Sequence, residues 1–312
     1  MVNSKPKISA IIPNYNHAAY LKQRIDSVLN QTYRDFEVII LDDCSTDNSK
    51  DIIEQYRTHE KVSLIIYNEV NSGNPFKQWD KGIGLAKGEY IWLAESDDWC
   101  EITLLETIMA GIENKENCVL GYCQGYCVME NNAIKFQSSH TSLAEYVDGK
   151  NFIKDFILPR NPIFNAGMAV WKKKIYESVS REYLNFKLIG DYFFWIEVAK
   201  CGSVFISGKL LNYFRTHEAN VSINSFNSGV TYFERLPLLK HLLQTSVIDK
   251  KGYNKSLRQQ YFYFRFAEKG MQKENSIKIE KTFSDYSDYW FELKFYFLLK
   301  RIQFSLKKLL RV

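Results

Sequence analysis

Lys7-Ile-Ser-Ala-Ile-Ile-Pro13 sets the pattern that decides the fold of this chain. The run is almost continuously apolar and stops at a proline, which is typical of a strand buried on both faces of a parallel sheet. Residues 18–30 follow with Leu21, Ile25 and Val28 at helical spacing. We therefore expect an amphipathic helix to pack on that first strand.

The alternation of strand and helix continues up to residue 94. Apolar runs predict strands at residues 36–41, 63–67 and 89–94, and helical spacing predicts helices near residues 48–56 and 76–86. Such alternation means βαβ units, whose ligands bind at the carboxyl ends of the strands. We predict an α/β fold with a mostly parallel sheet flanked by helices.

The pattern becomes less regular after residue 98. The predicted strands cover residues 119–128, 133–137, 166–171, a short segment near Val204, and 211–214. The predicted helices cover residues 149–156, a helix opening at Lys172, 191–200, 230–244, 254–268 and 288–310. We expect one domain at residues 1–225 and a C-terminal helical region at residues 226–312.

Composition excludes several classes of protein. The 312 residues are 46% hydrophobic and 25% charged, with 15 Gly and 6 Pro, so the chain is neither disordered nor of low complexity. Six cysteines without dense regular spacing indicate reduced thiols rather than a disulfide framework. Cys118, Cys123 and Cys127 lack zinc-site spacing, and we expect them to be buried.

The net charge of +5 is concentrated in residues 289–312. This segment contains six basic residues and one acid, Glu292. Its apolar residues share one helical stripe: Phe291, Phe295, Leu298, Leu299, Ile302, Leu306, Leu309 and Leu310. Such a helix is typical of a membrane surface, although packing on the catalytic domain is the alternative. With no secretory signal and no membrane-spanning run, we expect a cytoplasmic protein, peripheral on the inner membrane face.

Polar clusters follow three of the predicted strands. They are Pro13-Asn-Tyr-Asn16, Asp42-Asp-Cys-Ser45 and Glu95-Ser-Asp-Asp98. Carboxylates this close repel one another unless a cation lies between them. Oxygen ligands favour Mg²⁺ or Mn²⁺, commonly shared with a substrate phosphate. The sequence therefore predicts a divalent metal ion at this edge of the sheet.

Six motifs in order resemble the inverting family 2 glycosyltransferases of the GT-A fold. They are Ile11-Ile-Pro-Asn-Tyr-Asn16, Leu29-Asn-Gln-Thr-Tyr33, Leu41-Asp-Asp-Cys-Ser-Thr-Asp47, Lys87-Gly-Glu-Tyr-Ile91 with the acids at 95–98, Gly190-Asp-Tyr-Phe-Phe-Trp195, and Tyr213-Phe-Arg-Thr-His217 with Asn220-Val-Ser222. The resemblance covers residues 7–222. It implies transfer of a sugar from a nucleotide diphosphate donor, with UDP expected, and synthesis of a surface polysaccharide or lipid-linked glycan.

The resemblance also implies a role for individual residues on the nucleotide side. Asp42 would hydrogen-bond the base, and Pro13 and Tyr15 would line its pocket. Glu95 and Asp97 occupy the positions of the family's Asp-x-Asp pair, with Glu in place of the first Asp. The longer side chain keeps a carboxylate for the nucleotide or a metal-bound water, and Asp97 is the expected metal ligand.

On the acceptor side, Asp191 matches the general base that deprotonates the acceptor hydroxyl. His217 matches a residue that contacts the metal or the diphosphate, and Arg215 is a further candidate for stabilising the leaving group. A single in-line displacement would invert the anomeric configuration without a covalent intermediate.

Several of these residues have a purely structural alternative. Asp42 and Asp43 could cap the helix after Asn48, and Asp98 could cap a helix after Trp99. Lys77 and Lys81 could reach the donor or lie on a solvated helix face.

Two other functions remain open at this point. A nucleotidyltransferase would need a glycine-rich basic loop after the first strand, which the sequence lacks. A non-catalytic sugar-nucleotide binding module would keep Asp42 and Asp97 but not depend on Asp191. Binding of nucleic acid is not expected, because the acids at the strand ends repel phosphate.

Overall fold

The computed structural model describes residues 5–217 and 229–309, which form two compact units. The first unit holds the described residues up to Asn185 together with Gly190–His217. The second holds Phe186–Ile189 and the described residues from Gly229 onward. The expected domain boundary at residue 225 and the motif at residues 220–222 lie outside the described residues.

The first unit is built on a mixed sheet of ten strands. They are β1 (Ile8–Asn14), β2 (Phe36–Asp42), β3 (Val62–Tyr67), β4 (Tyr90–Leu93), β5 (Trp99–Cys100), β6 (Cys118–Met129), β7 (Ile134–Gln137), β8 (Ala144–Val147), β9 (Ala169–Lys172) and β10 (Ser203–Thr216). The main path through the sheet runs β3-β2-β1-β4-β9-β6-β10-β5, with β7 on β6 and β8 on β10.

The first four strands are parallel, as their apolar sequences predict. β1 and β2 are buried at every position, because helices cover both faces. Asn14 lies opposite Asp42 in the register, so the loops after these two strands leave the sheet side by side. At the opposite end of β1, the chain packs closely because residue 88 is a glycine. A Cβ added to Gly88 would lie 2.5 Å from the amide nitrogen of Ser9.

The second half of the sheet mixes directions. β9 is antiparallel to both β4 and β6, while β6 and β10 are parallel to each other. The two short strands expected near Val204 and at 211–214 are one strand, β10. The polar break Ser207-Gly208-Lys209 is a register irregularity between Ile206 and Leu210 rather than a chain reversal. A β-bulge interrupts the alternation of side chains without ending the strand.

The helices of the first unit flank this sheet. They are α1 (Ala18–Leu29), α2 (Ser49–Glu54), α3 (Pro75–Leu85), α4 (Leu104–Ile112), α5 (Gly149–Phe152) and α6 (Gly190–Lys200). The expected helix at 149–156 is α5 continued by a π-helical turn at Ile153–Ile157, and the segment after Lys172 is a 3₁₀ helix, Lys173–Ser178. Cys118, Cys123 and Cys127 are buried and all six cysteines are free, as expected.

The second unit contains four helices in its described part, one more than the sequence predicts. They are α7 (Val230–Gln244), α8 (Lys250–Ala267), α9 (Lys273–Tyr286) and α10 (Trp290–Leu309). The prediction missed α9 because only Ile279 and Phe283 form its buried apolar stripe. Rings of Tyr232, Tyr261 and Phe264 surround Phe283 and form the core of this unit.

The last helix leaves an apolar face uncovered. Leu293 is buried, whereas Phe291 is 86% exposed and Phe295 is 59% exposed. Leu298, Leu299 and Ile302 continue this exposed face. The predicted continuation at Leu306, Leu309 and Leu310 lies outside the part of the chain whose side chains are described. Of the helices in the described ranges, none combines the length and the hydropathy that crossing a bilayer requires.

Candidate active site

The first polar cluster lies where β1 and β2 end. The Asn14 amide donates to Asp42 Oδ1 at 2.8 Å, and the Ser45 backbone amide donates to Asp42 Oδ2 at 2.9 Å. Asp42 is buried, Pro13 is buried within β1, and the ring of Tyr15 is 45% exposed. The Asp42 carboxylate is therefore fixed at the end of β2 by donors at the end of β1 and in the loop after β2.

The helix after Asn48 does not use either acid of this pair. Asp47 Oδ1 accepts from the amide of Ser49, and Asp47 Oδ2 accepts from the amide of Ala18. The capping alternative for Asp42 and Asp43 is therefore wrong. The backbone amides at the starts of α1 and α2 are satisfied by a different carboxylate.

Asp43 ties together the loop that follows β3. Its carboxylate accepts hydrogen bonds from Asn68 Nδ2 at 2.6 Å, Ser72 Oγ at 2.7 Å and Gln78 Nε2 at 2.9 Å. Lys77 donates to the carbonyl of Ser72, and Lys81 donates to Asn68 Oδ1. Asp43 therefore has a structural role here. Both lysines, which lie on α3, bind the same loop through their side chains.

The second cluster joins Asp97 to two histidines. His217 Nε2 lies 3.1 Å from Asp97 Oδ2, and the ring of His17 lies 5.6 Å from that of His217. One ligand atom from each of the three residues falls within 4.8 Å of the others. Ser96 Oγ lies 2.8 Å from His17 Nδ1, which leaves the other ring nitrogen for a metal ion. Two imidazoles and a carboxylate fit a divalent transition metal.

The pKa shifts of His17 and Asp97 favour the ligating forms of these two side chains. Burial lowers the pKa of His17 below its usual value, which keeps the imidazole neutral. Burial opposes ionisation of Asp97, but the hydrogen bond with His217, together with the attraction of the two imidazoles when they are protonated, lowers its pKa. Neutral imidazoles and an ionised carboxylate are the forms that bind metal.

Glu95 lies beside this cluster with a very different pKa. Its Oε1 accepts a hydrogen bond from Trp79 Nε1 at 2.7 Å. Burial, followed by the charge of Asp97, raises the pKa of Glu95 to about 7 against the opposing effects of Trp79 and Arg24. The charge of Asp191 also raises this pKa, so Asp191 acts on the same site.

Substituting Glu95 with glutamine is expected to flatten the pH dependence of folding stability. The folded state holds the Glu95 proton up to about pH 7, whereas the unfolded chain releases it near 4.5, so ionisation costs stability as the pH rises between these values. In metal-free protein, the melting temperature should fall less between pH 4.5 and 7.5 in Glu95→Gln than in wild type. An equal fall in both proteins would contradict the raised pKa.

Asp191 is brought to the site by close packing of α6 on α3. A Cβ at Gly190 would lie 2.4 Å from the Phe76 ring, so only glycine permits this approach. The Trp79 ring contacts those of Phe194 and Trp195. The indole that donates to Glu95 thus also packs on α6, whose first turn carries Asp191.

Asp98 does not cap a helix. Trp99–Cys100 is a strand, and α4 begins only at Leu104. Asp98 is buried, where it accepts hydrogen bonds from the backbone amide of Arg215 at 2.8 Å and from the Asn165 amide. Burial, followed by the charge of Asp97, raises the pKa of Asp98 well above its usual value. Asp98 therefore connects residues 95–98, the acid loop, to β10.

Arg215 supports the acid loop from the other side. Its guanidinium lies between the rings of Tyr20 and Trp99, at 4.4 and 4.5 Å from their centroids. Its Nε donates to the Asp97 carbonyl at 3.1 Å, and Nη2 donates to Gln23 Oε1 at 2.7 Å. These contacts show that Arg215 holds the loop in position, and its expected role at the leaving group stays a prediction.

Three residues that form or support the site were not found from the sequence: His17, Trp79 and Asn165. His17 follows the loop at 13–16 directly and could have been noticed there, because a third ligand was needed beside Asp97 and His217. Trp79 and Asn165 carry no local signal, since each reaches the acid loop through tertiary packing.

The geometry defines the class of protein. It is an α/β fold that carries Asp42 and the acids at 95–98 after its parallel strands and Asp191 in the first turn of α6. S. aureus TarS 1-349 in complex with UDP-GlcNAc has this GT-A fold, with a TM-score of 0.70 and 21% identity over 90% of this chain and 80% of that chain. The sequence profile of Glycosyl transferase family 2 matches residues 9–179. The chain belongs to this family of glycosyltransferases.

Curated relatives agree with this family. Glycosyltransferase GlyG of Streptococcus pneumoniae is 30% identical over 166 residues, which are 53% of this chain and 51% of the relative. A GalNAc(5)-diNAcBac-PP-undecaprenol beta-1,3-glucosyltransferase of Campylobacter jejuni is 24% identical over 294 residues, 88% of this chain and 90% of the relative. The chain thus spans about half the length of the GlyG relative and nearly all of the other.

Proposed function

We propose that this protein is a metal-dependent inverting glycosyltransferase that moves a sugar from a UDP-sugar to a hydroxyl of a glycan or lipid-linked acceptor. The observation that carries the proposal is the cluster of His17, Asp97 and His217 in the same unit as the Asp42 loop. This arrangement suits a donor with a nucleoside at one end and a charged diphosphate at the other. The first unit would then hold both donor binding and transfer.

The donor would bind along the strand-end loops. Asp42 would accept a hydrogen bond from the base, and Tyr15 and Pro13 would form the wall of its pocket. UDP is the nucleotide we propose, supported by the complex of TarS with UDP-GlcNAc. Glu95, protonated below about pH 7, can donate as well as accept a hydrogen bond, which suits contact with the sugar or diphosphate oxygens.

Asp97, His217 and His17 would hold the metal ion. When bound, the ion would offset negative charge on the diphosphate. The sequence predicts Mg²⁺ or Mn²⁺. Of the two we propose Mn²⁺, because two of the three ligands are imidazoles, and imidazole binds transition metals more readily than it binds Mg²⁺, which takes oxygen ligands.

Transfer itself would rest on Asp191. Its carboxylate would take the proton of the acceptor hydroxyl as the oxygen attacks the anomeric carbon. Attack opposite the departing diphosphate inverts the configuration in one step. The acceptor oxygen forms the new bond, the donor oxygen keeps the electrons of the broken bond, and Asp191 keeps the proton.

The nucleotide and the metal can be tested by isothermal titration with UDP and with GDP, each with Mn²⁺ and with EDTA. We expect UDP to bind with Mn²⁺ and to bind at least tenfold more weakly with EDTA, because the diphosphate then faces Asp97 and Glu95 without a cation. GDP should bind more weakly than UDP. Absence of binding by either nucleotide would overturn the proposed function.

The acceptor we propose is part of a surface polysaccharide or a glycan on a lipid carrier. The Campylobacter relative supports this choice, because its name gives an undecaprenol-linked glycan as its acceptor. Such an acceptor lies at a membrane surface, which gives the exposed apolar face of α10 a role. Lys300 and Arg301 are exposed on the same helix as Phe291 and Phe295, so the helix suits an anionic bilayer.

The membrane role predicts binding to anionic vesicles at low salt. Replacing Phe291 and Phe295 with serine should lower the sedimented fraction at least tenfold, because each buried Phe contributes about 1.5–3 kcal/mol. Ile277→Ser provides the control, since Ile277 is exposed on α9 of the same unit. Equal sedimentation of all three proteins, or none with wild type, would remove this role.

A further inference from the structure

The first unit contains a cavity lined by β6, by β7 and the residues after it, and by residues 156–164. Its volume is about 290 Å³. The lining combines aromatic rings with amide, hydroxyl and guanidinium groups: Phe136, Phe156, Phe164, Gln137, Ser139 and Arg160. Small-molecule sites share this composition of apolar walls with a few polar groups.

The rings form the apolar wall of the cavity. The Phe136 and Phe164 centroids lie 5.6 Å apart, and Phe156 lies 6.1 Å from the His140 ring. Phe136 lies on β7, a short strand at the side of the sheet, and its side chain is 38% exposed. A Cβ at Gly125 would lie 3.3 Å from the Phe164 ring, so a larger residue there would crowd this wall.

The polar groups on the rim are available for a ligand. In the described part of the chain, the side chains of Gln137, Ser139 and Arg160 make no hydrogen bond or ion pair with protein groups. By contrast, the Asn161 side chain is used within its own loop, where it donates to and accepts from the backbone of Ile163. The loop is thereby fixed, and the rim offers both donors and acceptors.

The cavity wall is continuous with the acid loop of the candidate active site. Phe164 precedes Asn165, which donates to Asp98. The Phe164 ring also contacts Phe214 at 5.9 Å, and Phe214 precedes Arg215, which donates to the Asp97 carbonyl. A ligand that moved Phe164 would therefore act on both supports of the loop.

We propose that this cavity binds one pyranose ring of the acceptor glycan. A pyranose has an apolar C–H face that packs on aromatic rings and a rim of hydroxyls that matches Gln137, Ser139 and Arg160. Assigning the ring to the acceptor rests on the proposed function, whereas binding of a pyranose does not. The cavity would add affinity for an acceptor that already carries a sugar.

The test is saturation-transfer NMR with methyl glycosides of glucose, galactose, N-acetylglucosamine, N-acetylgalactosamine and glucuronic acid. UDP and Mg²⁺, which is diamagnetic and does not broaden the ligand signals, are present at saturation, so that the donor site is filled. At least one glycoside should receive saturation, most strongly on the protons of one ring face. Phe136→Ala should weaken its binding roughly tenfold, as expected for loss of an aromatic partner. Ile134→Ala, exposed on the same strand but outside the lining, should not.

The outcomes separate the two proposals. UDP titration of the same samples reports on the donor site and on folding of the variants, while the glycoside signals report on the cavity. Absence of any signal, or a signal unchanged in Phe136→Ala, overturns the cavity proposal whatever the UDP result. A signal confined to the glucuronide and lost in Arg160→Gln would assign the guanidinium to a carboxylate on the sugar. Glycoside binding without UDP binding would support the cavity and contradict the proposed function.

Discussion

Asp191→Asn is expected to lower the rate of sugar transfer about 100- to 10,000-fold, because an amide cannot take the proton of the attacking hydroxyl. UDP binding should stay within about twofold of wild type, since Asp191 acts on the acceptor side. Release of UDP from UDP-glucose, UDP-galactose and UDP-N-acetylglucosamine measures turnover, with a lipid extract as the source of acceptor. The slower release with water as acceptor should fall as well.

Asp51→Asn is the matched control for this substitution. Asp51 is an exposed acid in the first turn of α2, as Asp191 is an acid in the first turn of α6. Both substitutions remove one charge near a helix start, but only the first should affect turnover. Unchanged turnover in Asp191→Asn would rule out this residue as the base. Absence of turnover in wild type with every donor, while UDP still binds, would favour the non-catalytic binding module.

The second large effect is expected from Asp97→Asn. Its carboxylate is the one acid among the three clustered ligands. Its loss should weaken Mn²⁺ binding on the order of 100-fold or more, because changes one shell further from a metal already cost about 10- to 100-fold. Electron paramagnetic resonance of free Mn²⁺ measures this affinity without substrate or turnover. Metal-dependent binding of UDP should be lost in the same variant.

His17→Ala tests the ligand that the sequence did not reveal. We expect Mn²⁺ affinity to fall about tenfold or more, since one imidazole is lost from the three donors. His59→Ala is the control, because His59 is exposed on the surface after α2. If Asp97→Asn weakens Mn²⁺ binding and His17→Ala does not, the ion is held by Asp97 and His217 without the third residue. If neither substitution has an effect, the metal lies elsewhere.

Much of the fold could be predicted because its signals are local. The apolar runs at residues 8–12 and 36–41 are strands buried on both faces, and such runs read directly as parallel strands. The errors fall where local signals weaken. The bulge at Ser207-Gly208-Lys209 divided β10 into two predicted strands, and the thin apolar stripe of Ile279 and Phe283 hid α9.

The candidate site was predicted in part for the same reason. Asp42, Glu95 and Asp97 follow strands, and parallel strands place their carboxyl ends at one edge, so the acids could be selected before their distances were known. Their individual roles could not. Asp43 and Asp98 also follow strands, and the distant donors that hold each of them, Gln78 and the Arg215 amide, cannot be seen in the local sequence.

The sequence by itself determined the alternation of strands and helices, the position of the acids after the strands, and the basic amphipathic character of the last helix. These properties depend on residues within one or two turns of each other. Tertiary structure alone decided that His17 meets Asp97 and His217, the latter pair being 120 residues apart. It also decided that Glu95 keeps its proton to about pH 7. Ligand distances and desolvation depend on which distant segments pack together, and hydrophobic periodicity does not specify that packing.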